Sequence, residues 1–502
     1  MSIPKNNIYA SKRIGNHCFV NAALWCTISV VLICCHPPTN RTQVETNGID
    51  SLVLMDSAQE NYSNLFAGST AFTFYKSRNF VPVWAKNKTK TILADSMIHL
   101  IRSARIFGLL PQDYHLNEIE TLYKAAQTVN ENSRIQKLDL LLTDAFLSMA
   151  MHLKKGRIDI NTFERITYED DGSQIMSLQA AINNKGIKKM LELQEPATIQ
   201  YQQLRSALRV ILDSADSVER NLLFAGNTID SLDVSTKVAT LEVNLERLRR
   251  EERLSGRYIL VNIPAFKLSV MEGDERVFES KVIVGTTKNQ TPLLDALIKS
   301  FTLYPYWQVP RRIAVNEILP HVKKDSTYLD AHQYEVIDID GNLLDPFSLN
   351  WTSFDGNNFP VILRQRQGSR NALGVVKYSF NNSYSVYLHD TNAPRLFKKD
   401  KRSFSHGCIR VEKAKELSYF LLERDSGDVY TEDLEQYYQL QKRLDIKLQK
   451  PISLHIRYLT NEYREGELLF YDDIYNLDKR IHQALYTKKS GAEIPDVVLA
   501  RQ

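Results

Sequence analysis

The sequence predicts an α+β protein: a helical scaffold domain first, then a β-rich domain that carries an inserted lid subdomain. Three observations lead there. Apolar residues recur at helical spacing as far as about residue 253. At Tyr258 the pattern switches to short β-branched runs separated by turn residues. Residues 320–368 then mix brief apolar runs with Gly, Asn, Asp and Pro, which suits an insertion better than continuous core. The expected divisions are 1–36 for a signal sequence or membrane anchor, 37–68 for a polar linker, 69–256 for the helical domain, 257–430 for the β-rich domain and 431–502 for a C-terminal extension packing on it.

With 502 residues, 43% hydrophobic and 24% charged, the chain has an ordinary globular composition and room for several domains. A formal net charge of +4 is too small to argue for nucleic acid. The N-terminus says more. Lys5, Lys12 and Arg13 precede an uncharged apolar stretch from Cys18 to Cys35, and Pro37 and Pro38 end it. That is the layout of an export signal, and the stretch is also as long as a short membrane-spanning anchor. The positive flank places the N-terminus in the cytoplasm and the rest outside. Leu32-Ile33-Cys34-Cys35 is a loose lipoprotein box, with Cys35 as the residue to be lipidated. A periplasmic chain held to the membrane through its N-terminal segment is therefore expected.

In the helical half, Thr91 to Phe107 is a helix stopped by Gly108 and Pro111. Leu138 to Leu153 is apolar around its whole circumference, so it is expected to lie buried in a bundle, with Lys154 and Lys155 in its last turn and Gly156 ending it. His152 within it reads as a packed residue without a chemical role. Further helices are expected over Gln202 to Ala215 and Thr236 to Arg253, the latter with a Glu246–Arg250 i,i+4 pair. In the second half, Tyr258 to Ile263 is a strand. Lys267 to Met271 and Val277 to Val284 form a hairpin around Glu272-Gly273-Asp274. Ser383 to Leu388 is a strand ending at His389, and Glu412 to Arg424 is a helix.

The chain has five cysteines, and four of them (Cys18, Cys26, Cys34, Cys35) lie in the first apolar stretch. The body thus carries one thiol, Cys408, with His389 and His406 near it in sequence. A lone thiol in an exported protein is a candidate reactive group. A nucleophilic thiol needs a base and needs donors for a developing oxyanion. A histidine at the end of a neighbouring strand supplies the first, and a glycine before the cysteine lets backbone N–H groups supply the second. Two His and one Cys are also zinc-ligand types, but the His-x-Cys spacing is tight and no fourth ligand lies nearby. The bland reading is an inert thiol beside unrelated histidines.

The segment around His389 and Ser405-His406-Gly407-Cys408 resembles the catalytic motif of the YkuD-type L,D-transpeptidases, in which an upstream His precedes Ser/Thr-His-Gly-Cys. Phe80-Val81-Pro82-Val83-Trp84, the stretch Leu138 to Ala145, Asn244-Leu245-Glu246-Arg247, the stretch Val261 to Phe266 and Asn371-Ala372-Leu373-Gly374 are similar to the large YcbB-type members, so the resemblance spans roughly residues 70 to 480. It implies a helical scaffold domain followed by a YkuD-like domain. It also implies Cys408 as nucleophile, and His389 as base oriented through a backbone carbonyl of Asp390. Backbone N–H groups around His406, Gly407 and Cys408 would form the oxyanion hole. Arg410, Tyr306, Trp307, Ser405 and Asp390 are the implied substrate contacts, with Tyr306 and Trp307 in the lid. The implied reaction joins peptidoglycan stem peptides by 3→3 cross-links through an acyl-enzyme from a tetrapeptide donor, with no metal or cofactor. Other cell-wall enzymes are the implied partners of the scaffold. Hydrolysis of stem peptides by the same site, or a non-catalytic cell-wall binder, are the competing readings. The sequence departs from the pattern at Arg312, at Asn392, and over residues 197–235, which are too short for a peptidoglycan-binding module.

Overall fold

A computed structural model describes residues 65–486 apart from 87–88, 126–130, 167–171, 216, 218–232, 424 and 426–430. The apolar N-terminal stretch with Cys35 lies outside the described residues, as does most of the polar linker. No described helix is long and apolar enough to cross a membrane.

The helical half contains α1 (Gly68–Ser77), α2 (Ile92–Arg102), α3 (Leu116–Ala125), α4 (Glu131–Lys155), α5 (Ser173–Ala180), α6 (Ile187–Glu192), α7 (Ile199–Ser214) and α8 (Asp233–Leu248). Thr91 caps α2 by accepting the Ala94 N–H, and Gly108 takes the left-handed conformation that ends the following turn. As its composition requires, α4 is the hub. Leu140, Leu141, Leu142, Phe146, Met149 and Leu153 are all buried. Asp139 and Asp144 within it are buried too, and each organises a neighbour. Asp139 accepts N–H groups from Val83, Trp84 and Ala85 at 2.7–3.1 Å and the Tyr75 hydroxyl at 2.5 Å. Asp144 accepts the Ala67 N–H at 2.7 Å and contacts His115 at 2.6 Å. The Pro-Val-Trp stretch is thus fastened to the central helix by one carboxylate whose hydrogen-bonding capacity is filled, as a buried polar group requires. His152 is packed, with Nδ1 2.8 Å from the Tyr114 hydroxyl.

The junction with the β-rich half is polar. Asn244 and Arg247 of α8 cross to it, while Glu246 between them turns back into the helical half. Asn244 bonds Thr460 and Asn461 at 2.7 and 2.8 Å, and Arg247 pairs with Asp478 at 2.5 Å. Glu246 accepts the backbone N–H groups of Arg157 and Ile158 and pairs with Arg249 at 2.5 Å. The expected Glu246–Arg250 pair does not form. Glu246 faces the interior, where Arg249 and Arg157 meet it, and Arg250 reaches Asp159 at 3.2 Å instead.

Thr89–Lys90 (β2) pairs with Ala85–Lys86 (β1) in the helical half. The other strands are β3 (Arg257–Asn262), β4 (Lys267–Glu272), β5 (Glu275–Gly285), β6 (Leu294–Leu303), β7 (Trp307–Gln308), β8 (Tyr334–Ile337), β9 (Leu343–Leu344), β10 (Ile362–Gln365), β11 (Val376–Phe380), β12 (Leu388–His389), β13 (Ser403–Ser405), β14 (Ile409–Val411), β15 (Leu444–Arg457), β16 (Asn461–Arg464) and β17 (Glu467–Phe470). Nine of them form one mixed sheet in the order β13-β5-β14-β12-β11-β6-β15-β3-β4; a β4–β5 pairing closes eight of these into a ring and leaves β13 at the margin on β5. Closure removes the free edges that an open sheet would expose. The strand expected over Ser383 to Leu388 is shorter than its apolar content suggests. The Asn382 side chain bonds the Val386 carbonyl and the N–H groups of Tyr384 and Val386, folding this stretch into a turn.

Two boundaries move. Residues 431–502 were expected as an extension packing on the β-rich domain, yet β15 within them lies between β6 and β3 and is integral to the sheet. The inserted subdomain begins at Trp307, not near 320. Its sheet, in the order β7-β10-β8-β9, uses Trp307 and Gln308 as an edge strand. It has its own apolar core, including Ile318, Leu329, Trp351, Phe354 and Leu363. Asn371, fully buried, closes its neck by donating to the carbonyls of Pro305 and Arg366 at 3.2 and 2.8 Å.

Candidate active site

The site is built on three adjacent strands. In β11, Val376, Tyr378 and Phe380 enter the core; in β12 Leu388 does so, and in β14 Ile409 and Val411. Alternation along a strand turns the intervening residues to the opposite face. Register then decides which of them meet. Lys377 stands opposite His389, and His389 opposite Arg410 in a parallel pairing that carries on to Tyr387 and Cys408. Lys377, Tyr387, His389, Cys408 and Arg410 therefore share one face. Their contacts agree. The Tyr387 and His389 rings lie 5.5 Å apart, and the Lys377 ammonium sits 4.2 Å from the Tyr387 ring centroid. Tyr387 lies against the Cys408 thiol, where its hydroxyl and backbone both act to lower it, and the Trp307 side chain acts on the same hydroxyl.

The loop carrying the thiol is held from within. Ser405 Oγ donates to the Cys408 carbonyl at 2.5 Å and accepts the Gly407 N–H at 3.1 Å. Thr291 Oγ1 donates to the Gly407 carbonyl at 2.8 Å and accepts the Gly285 N–H at 2.9 Å. Tyr475 completes the brace by donating to the Gly285 carbonyl at 2.7 Å. Gly407 has φ +116°, a backbone conformation open to glycine and strained for other residues.

Burial pushes the His389 imidazole down to about 3; Arg410 and Lys377 push the same way, and the Asp390 backbone opposes them. Nδ1 of His389 is buried without a hydrogen-bond partner among the described residues. Burial raises the Cys408 thiol, against the lowering effects of Tyr387, Lys377 and Arg410. At neutral pH the face thus carries a neutral imidazole and a protonated thiol. A neutral imidazole can accept a proton, which is the state a general base requires.

The other residues picked from sequence are placed as follows. Ser405 and Asp390, expected to touch substrate, have their side chains committed to the frame. The Asp390 carboxylate accepts the Val375 N–H at 2.9 Å and lies so close to Gly374 that a Cβ there would come within 2.2 Å of it. Gly407, expected to donate its N–H to an oxyanion, gives it to Ser405 instead. The His406 ring turns outward, with Nε2 2.7 Å from Glu317 of the inserted subdomain. Trp307 lies in the inserted sheet with its ring 6.4 Å from Tyr334, and Tyr306 stacks under the Arg364 guanidinium at 4.6 Å. Arg312, one of the departures from pattern, binds Asn289 at 2.5 Å and so links the insertion to the turn leading to Thr291.

Tyr387, Lys377 and Thr291 were not picked out. Tyr387 was findable, because Tyr-Leu-His places it two residues from His389 on the same strand face. Lys377 and Thr291 lie 31 and 117 positions before Cys408, and only strand register and loop packing bring them to it.

The family model of the YkuD L,D-transpeptidase catalytic domain matches residues 256–430, and that of the Scaffold domain matches residues 70–208. A Haemophilus influenzae protein provisionally named an L,D-transpeptidase is 27% identical over 413 residues, 82% of this chain and 78% of that protein. Among solved structures, an L,D-transpeptidase from Mycobacterium smegmatis is 12% identical with a TM-score of 0.19, over 40% of this chain and 59% of that one. L,D-transpeptidase 1 of Mycobacterium tuberculosis is 10% identical with a TM-score of 0.15, over 40% and 61%. An L,D-transpeptidase from Stackebrandtia nassauensis is 12% identical with a TM-score of 0.17, over 53% and 93%. The chain thus spans about three fifths of the two mycobacterial proteins. With the two domain models matched in order, this chain carries a Scaffold domain followed by a YkuD L,D-transpeptidase catalytic domain.

Proposed function

We propose that this protein is a cysteine-dependent acyltransferase that forms 3→3 cross-links between peptidoglycan stem peptides. The observation that carries the reading is the shared face of β11, β12 and β14, which gathers a thiol, a neutral imidazole and the Tyr387 phenol. The Cys408 sulfur would attack the carbonyl of the third residue of a tetrapeptide donor. As the S–C bond forms, His389 takes the thiol proton, and it returns that proton to the departing D-amino acid when the C–N bond breaks. A side-chain amine of an acceptor stem would then attack the thioester, expelling the Cys408 sulfur and re-forming the thiol. The Cys408 N–H, which makes no hydrogen bond among the described residues, is the proposed oxyanion donor in place of Gly407. Trp307 and the inserted subdomain would cover the bound stem. Export, with attachment through the N-terminal segment or a lipidated Cys35, would place the enzyme at its polymer, and the scaffold domain would recruit other cell-wall enzymes.

Mass spectrometry of the intact protein with a carbapenem tests the nucleophile. One drug-sized adduct on Cys408 is expected, and none on a folded Cys408→Ala variant. An unmodified wild type would refute the assignment. Digesting purified peptidoglycan after incubation separates transfer from hydrolysis, because 3→3 dimers require an amine acceptor and shortened stems require water.

A further inference from the structure

Lys377 and Arg410 are two half-buried cations beside the nucleophile, and neither has a carboxylate partner among the described residues. Arg410 Nε is buried with no hydrogen bond at all. Asp445 shares the cross-strand row of Lys377 through Thr302, yet Arg443 already pairs with it at 2.9 Å. The other carboxylate close to the site, Asp390, is bound by Val375. Burying like charges without a counter-ion is costly; Lys377 gains only the face of the Tyr387 ring at 4.2 Å, and Arg410 lies in the strand directly after Cys408. A ligand anion would relieve it. Charge-assisted bonds to a carboxylate are the strongest that such side chains make.

We propose that Lys377 and Arg410 form a carboxylate-binding pair that seats the free C-terminal carboxylate of the donor peptide, one residue beyond the bond that Cys408 attacks. The proposal rests on the reading of Cys408 as the acceptor of a stem acyl group, and it adds a cause for donor choice. A donor ending one residue past the scissile bond brings its charge to the pair. A longer donor carries its carboxylate past them, and an amidated one has no charge to bring. Occupation would also remove part of the repulsion that Arg410 and Lys377 exert on a protonated His389, so the base would strengthen when the right donor is bound.

The test compares three synthetic donors in acylation of the full chain: the tetrapeptide acid, its C-terminal carboxamide, and the peptide extended by one D-alanine. Alkylation by iodoacetamide, an uncharged probe, is read alongside, and thermal unfolding checks folding. Wild type is expected to take the acid roughly 10- to 100-fold faster in kcat/KM than the amide, from hydrogen bonds to charged groups. In Lys377→Met and Arg410→Gln that ratio should collapse towards one, with the loss appearing in the acid donor. An acid-to-amide ratio near one in wild type would overturn the proposal while leaving the acyltransferase reading in place. So would a ratio that survives in both variants. An unchanged ratio with slowed alkylation in Lys377→Met would place Lys377 on the thiolate instead, and also overturn it. Wild type that reacts with iodoacetamide but takes an acyl group from no donor would remove both readings.

Discussion

Replacing Glu246 with Gln removes one charge from the seam between α8 and the segment that follows α4, and almost none of the volume. The wild-type carboxylate is fully buried. It accepts two backbone N–H groups, from Arg157 and Ile158, and meets Arg249 at 2.5 Å and Arg157 Nε at 3.5 Å. The amide keeps one acceptor oxygen, but it turns an N–H group towards donors and leaves the Arg249 guanidinium buried without its carboxylate. Breaking a buried pair by removing one partner costs about 3–5 kcal/mol, and the retained oxygen argues for the lower end. For a unit of this size that corresponds to a fall in Tm of roughly 6–12 °C. The pH dependence is a second signature. Burial alone would raise the Glu246 pKa, but Arg249, Arg157 and the two N–H groups outweigh it, so it lies below the ordinary value. A depressed carboxylate stabilises the fold above its unfolded pKa of about 4.3 and loses that contribution as pH falls through the folded value. The gap between wild type and Glu246→Gln should therefore be full at neutral pH and shrink on acidification below about pH 4. Differential scanning calorimetry at both pH values, with the transitions of the two halves resolved, measures it. A fall of less than about 2 °C at neutral pH, or a gap that stays constant in acid, would refute the assignment of Glu246 as the central anion between α8 and the segment after α4.

Three further outcomes are expected. Alkylation of Cys408 by iodoacetamide should rise continuously from pH 6 to 9, because burial raises the thiol and leaves no thiolate–imidazolium pair at rest; a rate already level by about pH 7 would contradict the neutral pair. Thr291→Val removes both bonds that hold Gly407 and Gly285, and should cost about 1–3 kcal/mol in stability together with a larger share of acylation rate, read by calorimetry and by adduct formation. Gly374→Ala places a methyl group 2.2 Å from the Asp390 carboxylate at a residue with φ +63°, so it should displace the turn beside His389 and abolish acylation, whereas Gly273→Ala, also at positive φ but with nothing within 4 Å, should lose stability and keep acylation.

Much of this was legible in one dimension. The change of period at Tyr258 located the start of the sheet, because strand and helix bury their side chains at different spacings. The all-round apolar stretch from Leu138 marked the central helix, since only complete burial makes such a surface tolerable in water. Cys408 and His389 stood out because their chemistry is uncommon and their spacing specific. The weaker inferences failed where a polar side chain had a choice of partners. Glu246 was read with its sequence neighbour Arg250 and turned inward to Arg249 and Arg157. Ser405 and Asp390 were read as facing substrate and instead satisfy buried N–H and carbonyl groups.

The sequence by itself determined the order of helical and β-rich halves and singled out Cys408 and His389 as candidates, because local periodicity and reactive side chains are properties of short segments. Only the tertiary structure decided that β15 belongs inside the sheet, that the insertion starts at Trp307, and that Lys377, Tyr387 and Arg410 surround Cys408. Those facts depend on which strands lie side by side and in what register. A shift of one residue would turn Lys377 or His389 to the core face, and no single segment of the chain carries that information.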